Sequence, residues 1–141
     1  MSQAKILLVD DDTDVTDAMA VVLESAGYSI AVANDGPKGL ELARSVQPSL
    51  IILDIMMSYV LEGLDIGARL QADPALATTP ILMLSAIAQS EHLDQFPTDQ
   101  PLPARYFLTK PVLADQLLAT VSWMLAEVGT SVSSGDQPAA V

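Results

Sequence analysis

Short apolar segments alternate with amphipathic helical segments along most of this chain. Ile6–Val9 and Leu50–Leu53 are unbroken apolar runs of strand length. Apolar residues at helical spacing follow the first run, from Val15 to Ala26, and stop at Gly27. Such a repeat favours a parallel sheet, because parallel strands are usually connected by a helix that packs on the sheet. The pattern predicts an α/β protein with a doubly wound parallel sheet and helices on both faces.

The rest of the chain continues this alternation. One helix is predicted to begin near Pro37, a second covers Leu64–Ala72, and a closing helix ends at Val128. The predicted strands are Ile6–Val9, Tyr28–Ala33, Leu50–Leu53, Ile81–Leu84 and Tyr106–Leu108.

The segment between the fourth and fifth strands breaks the pattern. Gln95–Pro103 contains three prolines and has no helical stripe of apolar residues. Proline removes a backbone donor and disfavours helix in the residue before it. The fourth helix, which this fold would place here, is therefore predicted to be short or absent.

Length and composition predict one domain without membrane or nucleic-acid surfaces. The 141 residues suit one domain at 4–128, followed by a small, polar stretch at 129–141 that we expect to be a flexible tail or the start of a linker. No apolar run is long enough to cross a bilayer, and there is no cysteine and no export segment, so a cytoplasmic location is expected. A net charge of −12 with six Lys and Arg argues against direct nucleic-acid binding.

Acidic residues follow two of the predicted strands. Asp10, Asp11 and Asp12 come directly after the first strand, and Asp54 follows the third. In a doubly wound sheet these strand ends are neighbours at the edge where ligands bind. Converging carboxylates repel one another unless a cation lies between them, and Mg²⁺ favours one or two carboxylates with water and phosphate oxygens. The acids predict a divalent metal site, although an acidic start to a helix is a simpler account of the run after the first strand.

Four motifs, in order, resemble those of response-regulator receiver domains, the signalling domains of two-component systems. The likeness covers about Ala4 to Val128, and it implies a flavodoxin-like fold with five parallel strands in the order 2-1-3-4-5. The motifs are Ile6-Leu-Leu-Val-Asp-Asp-Asp12, Leu53-Asp-Ile-Met-Met57, Ile81-Leu-Met-Leu-Ser-Ala86 and Phe107-Leu-Thr-Lys-Pro111.

The resemblance implies a phosphoacceptor regulatory domain rather than an enzyme with its own substrate. Asp54 would take a phosphoryl group from a sensor histidine kinase or a phosphotransfer protein. Asp10, Asp11, Asp54 and the carbonyl of Met56 would bind Mg²⁺ or Mn²⁺, with Asp10 acting mainly through metal-bound water. A cation and a lysine near one carboxylate suit phosphoryl transfer, which depends on positioning and charge neutralisation.

Further positions match the family's phosphate-binding and switch residues. Lys110 would bind the phosphoryl group, and Ser85 with the adjacent Ala86 would contact its oxygens. Phe107 would be the aromatic whose rotamer follows that contact, and the bond before Pro111 would be cis. Without the resemblance, the lysine and the serine would be read as solvated residues and the phenylalanine as part of the core.

The sequence departs from the family at positions that affect partner binding and the lifetime of the phosphoryl group. The loop Ser58–Gly63 is one residue longer than usual, and Gln95–Pro103 replaces most of a helix that forms part of the family's output and dimer surface. We therefore expect a monomer or weak dimer acting on an unknown downstream protein, as a stand-alone receiver unless the chain is a truncated one. Met56 and Ile87 are apolar where the family has polar groups that help to place hydrolytic water, which predicts a long-lived phosphoryl group.

Three other interpretations compete with this one. A haloacid-dehalogenase-like phosphatase needs its nucleophile at Asp10, and the run from there lacks the required final Thr or Val. A calcium loop over Asp10–Val21 fails because Val15 stands where glycine must turn and Val21 where the bidentate Glu belongs. The remaining alternative is a non-phosphorylated interaction module that keeps the receiver fold.

Overall fold

The computed structural model describes residues 4–55, 62–86 and 106–128 of the chain. Strands and helices alternate through these ranges as the sequence predicts. In chain order they are β1 (Lys5–Val9), α1 (Thr13–Ser25), β2 (Ser29–Ala33), α2 (Gly36–Val46), β3 (Leu50–Asp54), α3 (Glu62–Ala72), β4 (Ile81–Ala86), β5 (Tyr106–Lys110) and α4 (Ala114–Val128).

The five strands form one parallel sheet in the order β2-β1-β3-β4-β5. The central strands β1 and β3 are apolar along almost their whole length, because helices cover both of their faces. Val9 pairs with Leu53, and Asp54 pairs with Leu84 on the other side. The carboxyl ends of β1, β3 and β4 therefore reach one edge of the sheet together. The predicted fold and strand order are confirmed.

Each face of the sheet packs against two of the described helices. On one face, Leu8, Ile52 and Leu108 lie in a cluster with residues of α1 and α4. On the other, Val9 and Leu53 lie in a cluster with residues of α2 and α3. Successive side chains of a strand point to opposite faces, so each strand contributes to both cores.

Residues typical of helix ends stand at the ends of α1 and α2. Asp12 caps α1 by accepting hydrogen bonds from the backbone N–H groups of Asp14 and Val15. Asp35 caps α2 in the same way, with Lys38 as donor. Gly27 ends the α1 region with a φ of 98°, a conformation that costs glycine little and other residues more.

Several sequence predictions concern residues beyond these ranges. The loop Ser58–Gly63 is described only from residue 62 onward, and the proline-bearing segment Gln95–Pro103, Ile87 and the stretch 129–141 lie outside the described residues. β4 extends to Ala86, two residues beyond its predicted end, so that Ser85 lies inside a strand. Among the described helices, none has the length and apolar character needed to cross a membrane.

Candidate functional site

Three charged side chains meet where β1, β3 and β5 end. Asp10 directly follows β1, Asp54 is the last residue of β3, and Lys110 is the last residue of β5. Each lies two residues beyond a side chain of the core shared with α1 and α4, namely Leu8, Ile52 and Leu108. The two-residue period of a strand therefore directs all three toward the same side of the sheet.

Lys110 lies between the two buried carboxylates. Its Nζ donates a hydrogen bond to Oδ2 of Asp10 at 2.9 Å, and it lies 3.4 Å from Oδ1 of Asp54. The Asp10 and Asp54 side chains are 1% and 3% exposed, whereas that of Lys110 is 22% exposed. Lys110 is thus paired most closely with Asp10, and it is the part of this group that water reaches most easily.

Asp10 is held by several hydrogen bonds besides that of Lys110. Its Oδ1 accepts from the backbone N–H of Asp12 at 3.0 Å, and its backbone N–H donates to the carbonyl of Ala33 at 3.2 Å. Its own carbonyl accepts from Nδ2 of Asn34 at 2.9 Å. No local motif predicts this contact, because 24 residues separate Asn34 from Asp10 in the sequence.

The carboxylate of Asp54 is less fully hydrogen-bonded than that of Asp10. Its Oδ1 is buried and has no hydrogen-bond partner among the described residues, although Lys110 is within ion-pair distance. Burial, together with the charge of Asp10, raises the pKa of Asp54 from 3.8 to about 7, and the charge of Lys110 opposes both effects. A buried carboxylate oxygen without a hydrogen bond is costly, so the ionised side chain would gain from a cation.

The pKa of Lys110 is shifted in the direction that keeps it charged. Burial alone would lower it, but the hydrogen bond to Asp10 and the negative charges of Asp54 and Asp10 raise it above 10.5. The site therefore carries one permanent positive charge beside its acids.

The acids have the arrangement of a cation site. Asp10, Asp11 and Asp54 each offer a carboxylate oxygen, and these atoms lie within 4.8 Å of one another. Asp11 is exposed, whereas the other two are buried, so the cluster opens to solvent on one side. Asp12 does not belong to it, because its side chain caps α1. The carbonyl of Met56 lies outside the described residues. The residues present fit a hard divalent ion with oxygen ligands.

The other predicted site residues lie on β4 and β5. Ser85 directly follows Leu84, the residue paired with Asp54, and is itself paired with Thr109. Ala86 ends β4 opposite Lys110, and the bond between Lys110 and Pro111 is cis.

Phe107 is partly buried and packs against the core shared with α2 and α3. Tyr106 packs on the opposite face of the sheet, as strand alternation requires. There it lies edge-on to Trp123 of α4, with ring centroids 5.4 Å apart.

Comparisons with known proteins agree with this fold. The model of the response regulator receiver domain matches residues 6–122. The DNA-binding dual master transcriptional regulator RpaA of Synechocystis is 38% identical over 122 residues, which are 86% of this chain and 48% of that protein. The alkaline phosphatase synthesis transcriptional regulatory protein PhoP of Bacillus subtilis is 33% identical over 121 residues, again 86% and 48% of the two chains.

A solved structure of a response regulator has the same fold. The chemotaxis response regulator CheY4 of Vibrio cholerae superposes with a TM-score of 0.74 at 28% identity, covering 86% of this chain and 98% of that one. The chain belongs to the response regulator receiver domain family, whose members are regulatory domains of two-component systems. It spans about half the length of the curated relatives that it matches.

Proposed function

We propose that this chain is a phosphoacceptor domain that receives a phosphoryl group on Asp54 from the phosphohistidine of a sensor histidine kinase or a phosphotransfer protein. The observation that carries the proposal is the buried Asp54 carboxylate, which has an oxygen without a hydrogen bond, beside two further acids and one lysine. This arrangement is costly to maintain for structure alone. It suits a site that accepts a cation and a phosphoryl group.

The transfer itself needs a carboxylate anion in line with the donor. An oxygen of Asp54 attacks the phosphorus, and the new O–P bond forms as the N–P bond of the phosphohistidine breaks. The imidazole nitrogen keeps the electron pair of that bond and takes up a proton. In this reaction the protein contributes mainly positioning and charge neutralisation. A pKa of about 7 for Asp54 in the metal-free site means that proton and cation compete for the same carboxylate.

Mg²⁺, or Mn²⁺ in its place, is the proposed cofactor. Asp10, Asp11 and Asp54 would hold it, together with the carbonyl of Met56. When bound, the ion would supply positive charge to the carboxylates and to the phosphoryl oxygens. The chain places each of the two buried acids at the end of a strand, and it leaves Asp11 on the solvent side.

Lys110 has the proposed role of binding the transferred phosphoryl group. In the resting state it is hydrogen-bonded to Asp10 and lies 3.4 Å from Asp54. An acyl phosphate on Asp54 brings new negative charge within reach of Nζ, so we expect Lys110 to exchange part of its contact with Asp10 for a phosphoryl oxygen.

Ser85 and Phe107 would transmit the change. Ser85 lies at the end of β4, one residue beyond the partner of Asp54, so its hydroxyl is a candidate donor to the phosphoryl oxygens, along with the backbone of Ala86. Phe107, partly buried on the adjacent strand, would follow that movement by changing rotamer. The altered surface would then bind a downstream protein.

The partners and location belong to the same proposal. RpaA is named as a DNA-binding regulator, but only 48% of it matches this chain, and the acidic composition of the chain gives no reason to expect direct DNA contact by these residues. We therefore propose protein partners and a cytoplasmic setting for the domain at 4–128, as a monomer or weak dimer.

Phosphorylation can be tested without the cognate kinase. The protein is incubated with Mg²⁺ and a small phosphodonor such as a phosphoramidate, and its intact mass is measured. We expect one added phosphoryl group on the wild type and on Asp17→Asn, which removes an exposed acid of α1 outside the site. Asp54→Asn should gain none. A wild type that remains unmodified under these conditions contradicts the proposal and favours the non-phosphorylated interaction module.

A further inference from the structure

The hydrogen bonds of Asp10 come from three different parts of the fold. Lys110 of β5 and the N–H of Asp12 bind its two carboxylate oxygens. Its backbone N–H and carbonyl are bound from the end of β2, by the carbonyl of Ala33 and the side-chain amide of Asn34. Asp10 therefore has a partner for every polar group, in contrast to the buried Oδ1 of Asp54.

Asn34 extends the pairing of β1 with β2 beyond its last backbone position. The register of the two strands ends at Val9 and Ala33. After Asn34 the chain leaves the sheet, because Asp35 caps α2. The Asn34 amide occupies the place of the next rung, and its 2.9 Å bond holds the Asp10 carbonyl in line with β1 where the backbone turns into α1.

The same amide also contacts the first turn of α1. Nδ2 of Asn34 lies 3.5 Å from the hydroxyl of Thr16, which is buried and donates to the carbonyl of Thr13. One side chain thus links β2 to both ends of the turn that contains Asp11 and Asp12. That turn, with Asp10 at its start, presents two of the three carboxylates of the cation site.

We propose that Asn34 is a positioning residue for the divalent cation site, acting through the backbone of Asp10. This inference rests on the proposed function, since it requires that the acids bind Mg²⁺. The geometry requires a donor at this position, so a residue of the same shape without the N–H cannot replace it. Groups that orient metal ligands typically alter metal affinity by about 10- to 100-fold when removed, and we expect about 10-fold here because Asp10 keeps its other hydrogen bonds.

The test compares Mg²⁺ affinity, measured by calorimetry, in the wild type and three variants. Asn34→Ala removes the amide. Asn34→Asp keeps the shape, removes the donor and adds a negative charge, which by itself would strengthen cation binding. Ser25→Ala is the matched control: it removes an exposed side-chain hydrogen bond to a backbone carbonyl, that of Val22, at the far end of α1. Urea midpoints without metal show whether each variant remains as stable as the wild type.

A kinetic readout separates positioning from general damage. If Asn34 positions the ligands, Asn34→Ala needs more Mg²⁺ for half-maximal phosphorylation but reaches nearly the wild-type rate at saturating Mg²⁺. A merely structural role would lower the maximal rate and the urea midpoint together, and would leave the Mg²⁺ requirement unchanged.

The expected result is weaker Mg²⁺ binding in both Asn34 variants, with Ser25→Ala unchanged. The inference is overturned if both variants bind Mg²⁺ within about twofold of the wild type, since lost positioning of metal ligands costs more than that. It is equally overturned if Asn34→Ala, which adds no charge, binds as well as the wild type, because the donor would then be irrelevant. In either case the proposed function stands. A wild type that binds no Mg²⁺ overturns the inference and the proposed function together.

Discussion

Replacing Asp54 with asparagine tests how much the buried acid costs the metal-free fold. The carboxylate of Asp54 is buried beside Asp10, and its Oδ1 has no hydrogen bond among the described residues. Burial and the charge of Asp10 raise its pKa from 3.8 to about 7. The folded state therefore favours the protonated form, whereas an unfolded chain ionises the same group at lower pH. An asparagine side chain at this position has nearly the same shape and no charge to bury.

The sign of the effect follows from proton linkage. Between pH 3.8 and about 7 the folded state binds more protons at Asp54 than the unfolded state, so the contribution of Asp54 to stability falls as the pH rises through this window. Each pH unit is worth about 1.4 kcal/mol, which sets a ceiling of about 3 kcal/mol between pH 5 and 7. Lys110 is partly exposed and admits water, so we expect about 1–2 kcal/mol after screening.

The assay is urea unfolding in EDTA at several pH values from 5 to 8. Trp123, the one tryptophan of the chain, packs against Tyr106 and reports unfolding by its fluorescence. We expect the unfolding free energy of Asp54→Asn minus that of the wild type to increase over this range, because acids remote from the site titrate equally in both proteins. Asp17→Asn, an exposed position on α1, provides the control and is expected to show no such trend.

A flat difference between pH 5 and pH 8 would refute this reasoning. It would mean that the ionised Asp54 is already well solvated or fully neutralised by Lys110. Added Mg²⁺ gives a second check, since a ligand that binds only the folded state stabilises it. We expect Mg²⁺ to stabilise the wild type more than Asp54→Asn at pH 8.

Two further outcomes follow from the structure, and a third follows from the sequence. Lys110→Met leaves two buried carboxylates without their cation, and we expect a loss of about 2 kcal/mol in urea unfolding at pH 8 without Mg²⁺. Gly39→Ala places a Cβ 2.9 Å from Cγ1 of Val9, and we expect a net loss of about 1 kcal/mol that Val9→Ala reduces in a double-mutant cycle. Because Met56 and Ile87 are apolar, the phosphoryl group is expected to last minutes or longer with Mg²⁺ present, measured by intact mass over time.

A control variant or a contradicting result can be named for each of these three predictions. Lys38→Met removes an exposed lysine, and equal stability of the two lysine variants would contradict the role given to Lys110. Ser45→Ala is the control for Gly39→Ala: it adds helix propensity at an exposed position of α2, so it is expected to stabilise the protein. If the free-energy changes of Gly39→Ala and Val9→Ala are strictly additive, the close contact between the two residues is contradicted. Decay of the phosphoryl group within seconds would contradict its predicted persistence.

The sequence predicts the fold because its main signals are local. The core strands are short runs whose side chains must be apolar on both faces, and the helices carry one apolar stripe, so both can be read within a window of a few residues. Caps and turns add independent evidence at Asp12, Asp35 and Gly27. The strand ends are harder to predict from the sequence, as β4 shows, because Ser85 interrupts the apolar run.

By itself the sequence determined that Asp10, Asp11 and Asp54 follow apolar strands, and its resemblance to receiver domains adds Lys110, so all four are predicted at one edge of a parallel sheet. Only the tertiary structure decided which of these side chains pair with one another. Lys110 binds Asp10, 100 residues away, more closely than Asp54. Asn34 binds the Asp10 carbonyl from a different strand. These contacts join residues that are far apart in the sequence, so no local pattern encodes them.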